Sequence, residues 1–88
     1  MSFDEFVRNV DAAIVAHTAG LQRAEPQPAE ASWTARTRNA TVALVEPRNV
    51  SVTLAGPAGS KATTTWYPID SALVPVVANR IAGYLSEA

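Results

Sequence analysis

From residue 33 to residue 67 the sequence turns to threonine, valine and runs of alternating polarity separated by proline and glycine turns, whereas over residues 3–21 and 73–85 the apolar residues recur every three or four. A strand shows its two faces in alternation and a helix turns once in 3.6 residues, so one pattern cannot stand in for the other. The chain is thereby constrained to the order helix, strands, helix.

The first helix has a local start signal. Ser2-Phe3-Asp4-Glu5 has the form of a capping box, in which the serine hydroxyl accepts from the backbone N–H of Glu5 and the glutamate reaches back. Phe3, Phe6, Val7, Val10, Ala13, Ile14, His17 and Leu21 then fall on one stripe. This spacing predicts about five turns ending at Ala19 or Gly20, with His17 as a structural residue on the apolar stripe. Residues 22–32, QRAEPQPAEAS, contain Pro26 and Pro28 and no large apolar side chain, and they read as a loop that adds little to the core.

Three strands follow from the alternation. Thr41 to Glu46 and Asn49 to Ala55 flank Pro47-Arg48, and Glu46-Pro47-Arg48-Asn49 suits a type I turn. Gly56 to Ser60 turns the chain again into a strand over Lys61 to Tyr67, with Ala62, Thr64 and Trp66 on one face and Thr63, Thr65 and Tyr67 on the other. Trp33 to Arg38 is either a fourth strand or the start of one long first strand that bends near Asn39. Pro68 breaks the pattern, Asp70 or Ser71 caps a second helix, and Leu73, Val77, Ile81, Tyr84 and Leu85 form its stripe. Pro75 belongs in a first turn, so the regular helix starts near Leu73 or Val74, or a distorted turn precedes it.

The predicted fold is α+β. It is a two-layer sandwich with an N-terminal helix, an antiparallel meander of three to four strands and a C-terminal helix, all in a single domain spanning residues 1–88. A chain of 88 residues leaves no room for two domains. The same coarse order occurs in double-stranded RNA-binding domains. That family carries a histidine between its first two strands and a lysine cluster opening its last helix. Here those places hold Pro47-Arg48 and Asp70-Ser71-Ala72-Leu73, so no functional residue transfers.

Several function classes fall away. Cysteine is absent, which removes disulfides, thiolate metal sites and cysteine nucleophiles. His17 is the single histidine, with no acid placed beside it to orient a base. The pair Gly56 and Gly59 has Pro57 between its members, which removes an amide that a phosphate cradle needs. The expectation is a non-catalytic protein with no cofactor and no metal. The N-terminus offers acids where an export signal needs basic and then apolar residues, and no apolar run is long enough for a bilayer, so a cytoplasmic protein without a membrane partner is expected.

Net charge is -1, but it is unevenly spread, with four bases against Glu46 between residues 33 and 67. Arg36 and Arg38 would share a face in an extended segment, and Arg48, Lys61, Trp66 and Tyr67 belong to the same sheet region. Arginine with aromatic residues suits protein interfaces and single-stranded nucleic acid alike. These six residues are the candidate partner-binding set. The leading expectation is an interaction module that binds a protein partner or self-associates, a homodimer included. A weak nucleic-acid binder using the basic sheet region, or a small structural component of a phage particle or other assembly, are the alternatives.

Overall fold

The capping serine does what the sequence asks of it. In the computed structural model, which describes residues 1–25, 27–57 and 59–87, the backbone N–H of Glu5 donates to Ser2 Oγ at 3.1 Å and helix α1 runs Phe3–Val15. The reciprocal half of the box is replaced by a contact between the Ser2 hydroxyl and the Glu5 carboxylate at 3.5 Å. Helix α1 ends a turn earlier than its stripe suggests. His17 therefore lies beyond the helix on the surface, and Thr18 is the residue that turns inward. Pro26 of the expected loop, Ala58 of the expected turn over 56–60, and Ala88 lie outside the described residues.

Five strands follow: β1 (Gln22–Arg23), β2 (Glu30–Ala35), β3 (Arg38–Val45), β4 (Asn49–Ala55) and β5 (Thr63–Pro68). They form one antiparallel meander in sequence order. The expected count of three to four is corrected upward at the start of the sheet. Trp33 belongs to a separate strand, β2, whose first three residues, Glu30 to Ser32, come from the expected loop 22–32, and two further residues of that loop pair with it as β1. These pairings are made by backbone groups, which is why a stretch without large apolar side chains still joins the sheet.

Two turns also differ from expectation. Ala35 pairs with Arg38, so Arg36 and Thr37 form a two-residue hairpin turn in which Arg36 takes φ of 58°. Val45 pairs with Asn49, which makes the next connection a three-residue loop, Glu46 to Arg48, with a cis Glu46–Pro47 peptide, rather than a type I turn over 46–49.

After β5 the Asp70 carboxylate accepts from the N–H of Ala72 at 2.9 Å and opens a short 3-10 turn, Ser71–Leu73. Helix α2 (Val74–Ser86) continues from it with Pro75 in the first turn, where a missing N–H leaves no bond unmade.

Both helices lie on one face of the sheet. Phe6, Val10 and Ile14, spaced by four along α1, meet Val77, Ile81 and Leu85, spaced by four along α2. From below, Trp33 and Ala35 of β2, Ala40 and Val42 of β3, and Val50, Val52 and Leu54 of β4 complete the core. Tyr67 of β5 and Ile69 pack at its margin. The core thus uses the helix-facing side of the sheet only, and the other side carries no covering layer among the described residues.

Candidate interaction surface

Strand alternation sorts the sheet residues between its two sides. Because Val42, Val52 and Leu54 point to the helices, their neighbours Thr41, Ala43, Ser51 and Thr53 point away from them. The same outward side carries Ser32 and Thr34 of β2 and Thr64 and Trp66 of β5. Threonine, serine and alanine keep this surface flat, and Thr53 and Thr64 join their hydroxyls across the strands at 3.1 Å. Among the outward residues of β2 to β5 the single charge is Glu30, at one corner. Trp66 stands out from this plain with 63% of its surface exposed.

Beside Trp66 the sheet ends on an open edge. The N–H of Ile69 donates to the carbonyl of Arg48 at 2.8 Å, in line with the register that sets Tyr67 against Val50 and Thr65 against Val52. In an antiparallel ladder bonded and non-bonded pairs alternate, so Thr63, Thr65 and Tyr67 spend their backbone groups on β4. The backbone groups of Thr64 and Trp66 point away from the sheet, and Pro68 adds an outward carbonyl but no donor. No charged residue lies within Thr63–Pro68; Lys61 and Asp70 stand just outside its two ends.

The six sequence candidates divide among these features. Trp66 is on the outward face, whereas Tyr67 points to the core side. Arg36 is in the β2–β3 turn, Lys61 in the β4–β5 connection at the same end of the sheet, and Arg48 in the β3–β4 loop at the opposite end. Arg36 and Arg38 therefore do not share a strand face. Arg38 is engaged within the fold: its guanidinium donates to the Tyr84 carbonyl at 2.9 Å, pairs with Glu87 at 3.0 Å and lies 4.6 Å from the centre of the Tyr84 ring. A cation placed there satisfies a terminal carbonyl of α2 and faces the negative end of its dipole. The basic residues thus stand at the rims of the sheet and not in a track across it.

A second feature lies on the other flank, where a cleft of about 380 Å³ opens between α1 and the β1–β2 edge. Its floor is held by Asp11, which accepts from the indole N–H of Trp33 at 2.8 Å and from Arg23 Nε at 3.2 Å. Nothing in the sequence marks this cluster, because its members come from three elements. The carboxylate is already committed to two donors. Among the described residues no group of three or more histidine, cysteine or acidic side chains is placed to hold a metal ion. No helix among them is long and apolar enough to cross a membrane.

Set against known proteins, the chain matches no family model, and neither a curated protein nor a solved structure matches it. The functional reading therefore rests on the geometry.

Proposed function

We propose that this protein is a small non-catalytic interaction module that works by binding a protein, either a second copy of itself or another chain, through the open side of its sheet. The observation that carries the reading is the outward side itself: a plain of small neutral side chains, with an exposed tryptophan beside a bare strand edge. Interface cores are depleted of lysine, glutamate and aspartate and enriched in tryptophan, and an exposed edge accepts a further strand through its backbone groups. A solvated sheet face with no partner would gain from charges, which both keep it soluble and discourage association. Nucleic acid is the weaker reading, because phosphate contacts need cations along the path of the backbone. Here Arg36 and Lys61 stand at one end of the sheet, Arg48 at the other, and Arg38 is engaged by the end of α2, so no row of cations crosses the face.

Photo-crosslinking tests this. A benzophenone side chain at Thr53, in the middle of the outward face, should give a discrete protein adduct in the cells that make the protein. The same group at Asn79, on the exposed side of α2, should give none. Adducts from Asn79 alone would move the binding surface to the helices. Oligonucleotide binding at micromolar affinity, falling steeply with salt, would replace the reading with the nucleic-acid one.

A further inference from the structure

The bare edge of β5 is self-complementary, and from this we infer that two copies of the chain join through it, β5 against β5 antiparallel, with a two-fold axis passing beside Thr65. The inference rests on the reading that the open side of the sheet binds protein, and it names the partner as a second copy.

Three observations converge on this arrangement. First, only residues of the Thr64 and Trp66 set have outward backbone groups, and a two-fold axis perpendicular to the sheet must pair residues of that set with one another. Centring on Thr65 sets Thr64 opposite the partner's Trp66 and Trp66 opposite the partner's Thr64, each pair exchanging both bonds. Centring on Trp66 instead would set Thr64 against the partner's Pro68, which has no N–H to give. Second, the Thr65 register lays each exposed indole over the small side chain of the other copy's Thr64, which covers the large apolar group that the monomer leaves in water. Third, the charges at the two ends of the strand are opposite in sign. In this register Lys61 comes alongside Ile69 and Asp70 of the second copy, and the two-fold axis makes that contact twice. The result is one continuous sheet made from two five-stranded ones, with all four helices on one side.

Sedimentation equilibrium on the intact protein, from about 5 to 500 µM, should show the mass rising from one chain to two in the absence of nucleic acid. Charge pairs then read the register. Thr64→Glu with Trp66→Glu places like charges opposite each other, and Thr64→Glu with Trp66→Lys places opposite charges there. Both positions are exposed in the monomer, so circular dichroism should show the same fold for the two variants. The Glu/Lys variant should dimerise at least tenfold more tightly than the Glu/Glu variant. Equal dimerisation of the two would overturn the register. On the unmodified protein, isotope-filtered NMR of mixed labelled and unlabelled chains should show contacts from Thr64 of one copy to Trp66 of the other, and a dimer without them would overturn the inference even if a variant fails to fold. A wild-type protein that stays monomeric throughout also overturns it. If Thr53 still crosslinks to a different protein in that case, the broader reading survives and only the choice of partner falls.

Discussion

Asp11 shows how a single carboxylate can hold two layers together. It accepts from Trp33, a residue only 2% exposed, and from Arg23, whose side chain is 56% exposed. Removing the acceptor strands the indole N–H in the core, at a cost of about 1–3 kcal/mol, whereas an exposed ion pair contributes about 0–1 kcal/mol. Urea denaturation should therefore rank Asp11→Ala well below Asp11→Asn, which keeps an acceptor oxygen, with Arg23→Ala close to wild type. If Arg23→Ala proves the worst of the three, the ion pair and not the indole bond holds the cleft. Arg38 makes a parallel case: Arg38→Ala should lower stability by roughly 1–2 kcal/mol, because it removes a charged hydrogen bond to the α2 terminus together with the ring contact. Lysine there should recover only part of the loss. An unchanged midpoint for Arg38→Ala would return this arginine to the free surface. Neither role was legible in the sequence. The Ser2 cap could be read because its partner is three residues away, whereas Trp33 is 22 residues from Asp11 and Tyr84 is 46 from Arg38. Periodicity places a side chain on a face; it does not say what lies across from it.

Among the elements, the strands are unequal in what they can lose. Ser51 lies in β4, which has a strand on each side, and its backbone groups serve β3; Thr64 lies in β5, and its backbone groups face outward. Proline at Ser51 removes a ladder bond in the middle of the sheet and should unfold the protein at room temperature, while proline at Thr64 removes no backbone bond within the chain and only the exposed hydroxyl contact with Thr53. Thermal melts should separate the two widely, and similar melts would mean that the edge has been assigned to the wrong strand. The hairpins β3–β4 and β4–β5 were legible because each arm alternates over six or more residues around a proline or glycine turn. Strand β1 was not, since a two-residue strand has no period, and its exposed side chains add no apolar signal. The split between Trp66 outside and Tyr67 inside follows from alternation alone. Which of the two faces the helices depends on the register with β4, where Tyr67 meets Val50.

The molecule as a whole is asymmetric between its two sides. One side of the sheet holds the whole apolar core under two helices, and the other presents neutral small residues, a tryptophan and an open edge. The basic excess over residues 33–67 was visible in the sequence, but its placement was not, because turns and strand ends distribute those residues to the rims. Amide hydrogen exchange resolved by residue tests the central claim most directly. Thr65 and Tyr67 should be protected at every protein concentration, since their N–H groups bond β4. The outward amides of Thr64 and Trp66 should exchange quickly in dilute protein and slow by at least tenfold when it is concentrated or its partner is added. If those two amides keep exchanging fast while association proceeds and protection grows in α1 or α2, the binding side of this protein is the helical one.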